Sequence, residues 1–422
     1  MSNNSDYILN QAVIVDSVGG VTDISLLIKE LNIYEDIFAN VLSGDVVLLD
    51  TMNLPSKLHL HGNEYFMIDF QTPNKNGFKK TFRIYKISDF SFYNNTSLIY
   101  KISFCSEEFI ISNQKRVSKS YKGVNNTSII RDIVTNVLGS NKNLDLEETK
   151  LAQSLIIPNM TPFEAINWIS SFSLNSELST AFLFFENKNG FNFKSLSNIF
   201  STDVVKSIMV DSRYIINPEN ISNDERIKEI SVVNVMNYKQ LFNTLETITT
   251  GGYSSNMMKL DLFRQTHENL DFDFVTNQSK KMNKFATVNN SSNRFNAQLF
   301  DGSSFYRYFI SFQGDLVDKW LLQRASQFSL INSGRIEIQL PGDSRLKCGD
   351  LVYLDFPDIT PISDNQEVRE DVYKSGVYLI ASMRHQIYEN NYINTIQLLK
   401  DSNQGQIPTA VINTVYETVR KQ

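Results

Sequence analysis

Two heptapeptides decide the predicted fold of this chain: GDVVLLD at residues 44–50 and GDLVYLD at residues 349–355. They share five of their seven positions, and each is rich in apolar residues that suit a β-strand. Each is followed by a predicted hairpin, with its turn at Asn94-Asn95 in the first half and at Asn390-Asn391 in the second. The recurrence predicts a duplicated small β-barrel, the alternative being a coincidence between two ordinary antiparallel sheets.

Alternating apolar and polar residues predict further strands beside each heptapeptide. Near the N-terminus, residues 23–30 place Ile24, Leu26 and Ile28 on one face. In the last third, RIEIQL at residues 335–340 alternates in the same way. The chain is therefore predicted to be mainly β.

The segment between the two β-rich parts carries helical signals. Residues 126–139 place six Ile, Val and Leu side chains on one helical stripe, and Thr161 with Glu164 forms a capping box. A polar stretch at residues 264–312 precedes a predicted helix at residues 315–328. These signals predict an α+β middle domain and an insertion.

Composition and charge favour a folded structural protein. Of the 422 residues, 41% are hydrophobic and 12% aromatic, which is enough apolar material for the cores of two or three domains. The net charge is −6, whereas a protein that grips nucleic acid needs a basic face to displace counterions from phosphates. We therefore expect no stable nucleic-acid binding.

The cysteines and the N-terminus bear on the compartment. Cys105 and Cys348 are expected to be buried free thiols, with a single long-range bridge as the alternative. The N-terminal MSNNSDYILNQ lacks the basic and apolar regions of a signal peptide, and no apolar run approaches the roughly 18 residues of a membrane span. We expect a protein made in a cytosol, without a membrane span.

The histidines form no recognised metal or catalytic motif. His59 and His61 are two residues apart in LHLHG and would share one face of a strand, but no third zinc ligand lies nearby in the sequence. We expect both to face solvent. His267-Glu268 does not continue into HExxH, because residue 271 is Asp. No metal and no other cofactor is therefore expected.

The acidic residues also give no convincing catalytic pair. Glu107 and Glu108 are adjacent and would face opposite ways on a strand, while Asp271 and Asp273 alternate with phenylalanines as in an ordinary strand. The sequence contains no GxSxG, no P-loop and no GxGxxG after a strand. The expected protein is not an enzyme and works by binding other proteins.

The last third also carries a family resemblance. IEIQLPGDSRLKCGDLVYLDFPD (336–358) and SGVYLIASMRHQIYENNYINTIQLLKDS (375–402) resemble the C-terminal barrel of baseplate hub proteins from contractile-tailed phages. The positions that carry the pattern are Pro341-Gly342, Gly349-Asp350, Val352, Pro357, Gly376, Tyr378, Ile380, His385 and Lys400-Asp401-Ser402. Residues 33–54 resemble the first barrel of such hubs, and residues 161–173 resemble their middle-domain helix. The hub part of type VI secretion spike proteins has the same architecture, but no separate spike domain is evident here.

The resemblance implies a homotrimer that adapts one symmetry to another. Three chains with two tube-like barrels each would form a pseudo-sixfold ring under the sixfold tail tube, and the other end would dock the threefold central spike protein. Tail tube or tube-initiator proteins, the tape-measure protein and baseplate wedge proteins are further implied partners. DNA would pass through the lumen. The implied location is the virion tail baseplate, assembled in the host cytoplasm.

The predicted fold class is thus mainly β with α+β, in five parts. They are a first tube-like barrel (1–115), a middle α+β domain (116–228), a second tube-like barrel (229–262 and 330–402), an insertion packed with the middle domain (263–329) and a C-terminal tail (403–422). The candidate interface residues are Gly44, Asp45, Asn94, Asn95, Gly349, Asp350, Asn390 and Asn391. The β-branched tail at residues 409–419 is expected to pair with a partner as an added strand.

Two other functions stay open at this point. A tail-tip enzyme such as a cell-wall hydrolase would need converging carboxylates or a metal site. A β-rich host receptor-binding protein would be expected to carry a fibre-like repeat or a terminal lectin domain.

Overall fold

Strands make up most of the described chain. The computed structural model describes residues 7–72, 77–210, 231–232, 235–240, 243–274, 281–283, 285–286, 306–311, 317–332, 334–356, 370–371, 373–389 and 391–405. Up to residue 210 the elements are β1 (Ile8–Val15), β2 (Val21–Asp23), β3 (Ile28–Asp36), β4 (Ser43–Asp50), α1 (Leu54–Lys57), β5 (Tyr65–Gln71), β6 (Gly77–Asn94), β7 (Ser97–Cys105), α2 (Glu107–Gln114), β8 (Val117–Asn125), α3 (Asn126–Asp132) continuing as a π-helix (Ile133–Val137), β9 (Leu144–Leu146), β10 (Ala152–Met160), α4 (Pro162–Ser171), β11 (Phe182–Asn187), β12 (Gly190–Ser195), α5 (Leu196–Ile199) and β13 (Val204–Met209). The later elements are β14 (Ser231–Val232), β15 (Val235–Gln240), α6 (Thr244–Thr249), β16 (Ser254–Asp261), β17 (Thr266–Asp273), β18 (Phe285–Ala286), β19 (Tyr306–Ser311), α7 (Val317–Ile331), β20 (Gly334–Pro341), β21 (Leu351–Asp355), β22 (Gly376–Tyr388), β23 (Asn391–Lys400) and β24 (Ser402–Asn403).

One large sheet links the two β-rich halves of the chain. Its strand order is β14-β13-β21-β22-β3-β4-β7-β6-β5-β1-β2, and β23, β20 and β15 continue it from β22. Smaller sheets pair β8 with β10, β12 with β9 and β11, β16 with β17 and β19, and β18 with β24. The third of these joins β16, from the segment predicted to belong to the second barrel, to strands of the predicted insertion. The prediction of a mainly β chain is confirmed.

Local sequence signals fix several elements as predicted. The Thr161 hydroxyl caps α4 by accepting the Glu164 N–H. The Glu164 carboxylate in turn accepts the Thr161 N–H, which completes the capping box. RIEIQL forms most of β20, and its alternation places the three apolar side chains in the protein core. The helix predicted from residue 126 is present, and its N-cap is Asn125, whose side chain accepts the Ser128 N–H.

The strand predicted over residues 23–30 is wrong. Asp23 ends β2, and its side chain accepts the Ser25 N–H at 2.8 Å, which starts a turn. The turn closes with the Leu27 N–H on the Ile24 carbonyl, and β3 begins only at Ile28. Ile24 is fully buried whereas Leu26 is 99% exposed, so the two do not share a face. Side-chain hydrogen bonding at Asp23 outweighed the apolar alternation.

The apolar cores are interlocked across the halves. The core of the first half is built mainly from β1 to β7, yet it contains Ile387 and Tyr392 from the hairpin of β22 and β23. The core of the second half contains Leu183 and Phe185 from β11 of the middle part. Each half therefore buries side chains that another part of the chain supplies.

A buried ionic cluster fastens the middle part to the first half. Glu186 on β11 accepts from the Ser106 hydroxyl at 2.6 Å and the Leu42 N–H at 3.1 Å. The Lys142 ammonium lies 2.7 Å from Glu186 and 2.6 Å from Glu108. Burial by itself would raise the pKa of Glu108, but Lys142 lowers it, so the pair is charged in the folded chain.

The Gly342 position tests how closely these parts are packed. Its N–H donates to the Tyr392 carbonyl at 2.8 Å, and an added Cβ would lie 1.9 Å from Tyr392 Cδ1. We predict that Gly342→Ala lowers the free energy of unfolding by roughly 1–3 kcal/mol, as overpacking does. Gly77→Ala is the control, because its Cβ would meet its nearest neighbour at 3.7 Å. Equal losses in chemical denaturation would contradict the prediction.

The buried carboxylate of Asp401 helps to hold residues 282–283 against the segment that follows β23. Asp401 accepts the Met282 N–H at 3.1 Å, and the Ser402 hydroxyl accepts the Asn283 N–H at 2.8 Å. The Asn283 side chain donates to the Val377 carbonyl at 3.0 Å. Burial raises the pKa of Asp401 to about 6.

This raised pKa predicts a specific dependence of stability on pH. Between pH 4 and 6 the folded chain holds a proton on Asp401 that the unfolded chain has lost, so its contribution to stability falls as the pH rises. Asp401→Asn removes this titration and keeps the acceptor for Met282. We expect the variant to gain up to about 3 kcal/mol relative to wild type between pH 4 and pH 7. A stability difference that does not change with pH in denaturant titrations would contradict this.

Candidate functional site

The two halves meet at a seam between β3 and β22. These strands pair antiparallel from Ser382 opposite Asp36 to Tyr388 opposite Glu30. The sequence separation of the paired strands is about 350 residues, so no local pattern could have predicted this contact. The seam makes the large sheet continuous.

A buried polar cluster lies on the inner face of the seam. Glu35 accepts the Lys188 N–H at 3.0 Å on one oxygen and the Cys348 N–H at 2.9 Å on the other. His385 Nδ1 lies 2.7 Å from the Tyr392 hydroxyl, and His385 Nε2 lies 3.6 Å from Glu35. All three side chains are almost completely buried. The cluster therefore joins the first half, the middle part and the second half, and it has no exposed face for a substrate.

The outer face of the same seam carries a ladder of polar contacts. Arg384 donates to Glu30 at 2.8 Å and to Asn32 at 2.8 Å. Asn32 donates in turn to Asp45 at 3.0 Å, and the Tyr34 hydroxyl donates to Asp45 at 3.0 Å. Burial and the Asp45 charge raise the pKa of Tyr34 to about 12, so its phenol stays neutral. These bonds cross β22, β3 and β4.

The first predicted interface pair, Gly44 and Asp45, lies in this ladder. Gly44 is the second residue of β4 (Ser43–Asp50) and does not lie in a turn. An added Cβ there would lie 2.4 Å from the Asn32 carbonyl oxygen and 2.5 Å from the Phe104 ring. Close strand packing therefore requires glycine. Asp45 is buried and serves the contact between strands of one chain.

The second predicted pair, Gly349 and Asp350, lies in a different setting. Gly349 has φ of +89° and its N–H donates to the Ile380 carbonyl at 3.0 Å. Asp350 is buried and paired with Lys347. Both line a polar cleft between the middle part and the second half. The other residues lining it are Asn143, Asp145, Phe185, Asn187, Asn189, Gly190, Phe191, Asn192, Lys194, Ile199, Thr202, Asp203, Val205, Lys347 and Cys348.

The structure brings the two heptapeptides into one sheet. The local strand order is β21-β22-β3-β4, so the two heptapeptide strands flank the seam symmetrically. Their chain order differs, because β4 follows β3 whereas β21 precedes β22. Their other neighbours also differ, since β4 pairs with β7 antiparallel and β21 pairs with β13 parallel. The two heptapeptide strands therefore occupy equivalent positions beside the seam, but the strands that neighbour them on the far side differ.

The predicted hairpin tips are exposed. Asn94 ends β6, and its side chain accepts the Thr96 N–H at 2.9 Å, while Asn95 lies in the turn itself. Asn391 begins β23 and donates to the Glu389 carbonyl at 3.3 Å. Asn390 lies outside the described residues, as do the tail residues 409–419. An intermolecular role for these tips stays a prediction.

Sequence reasoning missed the seam residues as a group. Glu35 and Arg384 belong to no recognisable motif, and His385 is singled out only by the family resemblance. The sequence does offer a signal for Phe90, Phe92 and Tyr93, because these aromatic residues occur in an otherwise polar stretch. All three are exposed in the structure. These aromatic residues are the largest exposed apolar feature of β6.

The histidine and carboxylate candidates are placed as follows. His59 and His61 are exposed as predicted, but they lie in a turn after α1 and not on a strand, because the chain turns with His59 at φ of +49°. Glu107 accepts the Tyr65 hydroxyl at 2.7 Å, and Glu108 is buried against Lys142. In the described ranges, no three His, Cys, Asp or Glu side chains gather as a metal site.

The remaining sequence expectations concern cysteines and membrane spans. Cys105 and Cys348 are buried free thiols, and burial raises the pKa of Cys105 to about 11. Within the described residues, no helix has the length and apolar character needed to cross a membrane.

Comparison with known proteins gives one curated relative and several similar structures. The probable baseplate hub protein gp334 of Vibrio phage KVP40 is 19% identical over 404 residues, which cover 89% of this chain and 90% of that protein. No protein-family profile matches the chain. This chain resembles a phage baseplate hub protein in sequence.

Solved structures give the fold. The tail protein from Neisseria meningitidis MC58 aligns with a TM-score of 0.55 and 10% identity over 94% of this chain and 97% of that one. The 43 kDa tail protein of prophage MuSo2 from Shewanella oneidensis aligns with the same TM-score and identity over 93% and 98%. The hub-like chain has the fold of these tail proteins along nearly its whole length.

The Glu35 contacts generate a test of the seam. Glu35→Gln replaces one acceptor oxygen by an amide nitrogen, which leaves a buried backbone N–H of Lys188 or Cys348 without its partner. We expect a loss of roughly 1–3 kcal/mol in the free energy of unfolding. Glu148→Gln, an exposed carboxylate beside Arg131, should change stability by less than about 0.5 kcal/mol. Equal stability of the two variants in urea would contradict the assigned role of Glu35.

Proposed function

We propose that this chain is a structural hub protein of a phage contractile-tail baseplate and that it is not an enzyme. The observation that carries the proposal is the sequence likeness to a baseplate hub protein over 404 residues, together with a tail-protein fold over more than nine tenths of the chain. The buried clusters around Glu35 and Glu186 support it, because they connect parts of the chain to each other.

The proposed assembly is a trimer. Each chain supplies two β-rich halves, proposed as residues 1–115 and as residues 229–262 with 330–402, held in one sheet by the seam. Three copies would place six such units around an axis. A ring of this kind can meet a sixfold tail tube on one face and a threefold spike on the other. A continuous sheet supports this role, because both halves of a chain then move as one body.

The middle part, proposed as residues 116–228, would face the central spike protein. Its own apolar core and the ionic cluster of Glu186, Lys142 and Glu108 anchor it to the first half. Residues 263–329 would pack beside it as an insertion. Tail tube or tube-initiator proteins would contact the opposite face, and tape-measure and wedge proteins are further proposed neighbours.

The proposed location is the virion baseplate, after assembly in the host cytoplasm. DNA would cross the lumen of the ring without binding there. The net charge of −6 supports this, since a chain with a net negative charge does not attract phosphates overall.

The oligomeric state tests the proposed function. We expect light scattering of the full chain, alone or mixed with its spike protein, to give the mass of three chains, and negative-stain images to show a ring with six lobes. A chain that stays monomeric under both conditions would overturn the trimeric adaptor. A hydrolase would instead be indicated by cell-wall lysis that is lost in Glu107→Gln or Asp271→Asn.

A further inference from the structure

The distal part of β6 forms an unpaired strand edge. From Gly77 to Arg83 this strand pairs with β5, which ends at Tyr65 opposite Arg83, and from Arg83 onward it pairs with β7 on its other side. The Ile84 N–H still donates to the Glu64 carbonyl at 3.0 Å, and from Tyr85 to Asn94, among the described strands, β6 pairs with β7 alone. One side of this ten-residue stretch therefore presents backbone N–H and carbonyl groups outward.

Aromatic side chains cover this edge. Tyr85, Phe90, Phe92 and Tyr93 are all more than half exposed, with Phe92 at 83% and Tyr93 at 67%. With about 200 Å² for each ring, they expose roughly 500 Å² of mostly apolar surface. The summed area is within the range of the largest apolar patch on a typical monomer, and such patches often mark a binding surface. We call residues 85–94 the aromatic edge.

A second apolar surface lies at the turns on both sides of β2. Leu26 is 99% exposed and Val18 is 92% exposed, the two highest values among the large hydrophobic side chains described. Asp16 holds the first turn by accepting the Val18 and Gly20 N–H groups, and Asp23 holds the second. Val21 is exposed between them. We call Val18, Val21 and Leu26 the aliphatic corner.

The charges near the aromatic edge favour a protein as its partner. Lys86 and Asp89 are both exposed and cancel, so the edge is neutral. A neutral surface gives no attraction to nucleic acid or to an anionic membrane. Aromatic rings combined with unpaired strand hydrogen bonds are typical of protein contacts by strand addition.

We propose that the aromatic edge of one copy of this chain binds the aliphatic corner of the next copy. The contact rests on the trimer of the proposed function and gives it a specific surface. Because it joins two different patches, it is head-to-tail, and three copies can close into a ring in which every edge and every corner is covered.

The exposed areas fit this arrangement. A standard interface buries about 800 Å² on each partner, and the aromatic edge supplies more than half of that. The most exposed large hydrophobic side chains described, Leu26, Val18 and Phe92, all become covered by the one contact.

Paired serine variants test the contact by solution mass. Phe92→Ser with Tyr93→Ser, and separately Val18→Ser with Leu26→Ser, should each lose the three-chain mass at micromolar concentration and keep the thermal stability of the wild type. Phe263→Ser is the matched control, because Phe263 is 77% exposed in the turn between β16 and β17 and belongs to neither surface. It should remain trimeric.

A cross-linking experiment tests the same contact without weakening it. Equal amounts of Phe92→Cys and Leu26→Cys chains are mixed and oxidised with diamide, and non-reducing gels should show a linked pair that neither variant forms alone. Phe263→Cys mixed with Leu26→Cys should give none. Trimeric serine variants or absent cross-links would overturn this contact and leave the trimer standing, whereas a wild type that stays monomeric both alone and with its spike protein would overturn the trimeric adaptor of the proposed function.

Discussion

The antiparallel pairing of β3 with β22 is the constraint on which the rest of the structure depends. Successive residues of a strand face opposite sides of the sheet. A register shift of one residue would therefore turn Glu35 to the outer face and bring Glu30 and Asn32 to the inner face. Glu35 prevents this shift, because both of its oxygens accept backbone N–H groups from distant segments. Tyr392 adds a second constraint by entering the core of the first half. The register is thus held by buried hydrogen bonds and by packing together.

The matching residues of the two heptapeptides have different structural roles on the two sides of this seam. Gly44 and Gly349 begin matching heptapeptides, yet the first is required by close packing inside a strand and the second by a positive φ before one. Asp45 bonds to side chains on β3, whereas Asp350 bonds within its own turn to Lys347. The repeated residues place both strands beside the seam, and the neighbours then decide what each residue does.

The exposed apolar surfaces lie away from the seam. The interlocked cores and the ionic cluster of Glu186 hold one chain together, so the chain can leave the aromatic edge and the aliphatic corner uncovered without unfolding. Such surfaces favour aggregation in a monomer unless they are paired. In the proposed ring both surfaces would be covered, so a stable subunit and its association would depend on different parts of the chain.

The sequence by itself determined the β-rich class, the capping box at Thr161, the alternation in β20 and the exposed hairpin at Asn94, because these depend on residues close together in the chain. It also indicated the family resemblance and the recurrence of the heptapeptides. It misplaced Leu26, because the hydrogen bond that the Ser25 N–H donates to the Asp23 side chain competes with the alternation of apolar residues. Only the tertiary structure decided the seam, the Glu35 cluster and the open edge of β6, since each depends on which distant strand lies alongside, and strand pairing over some 350 residues leaves no periodic signal in a single sequence.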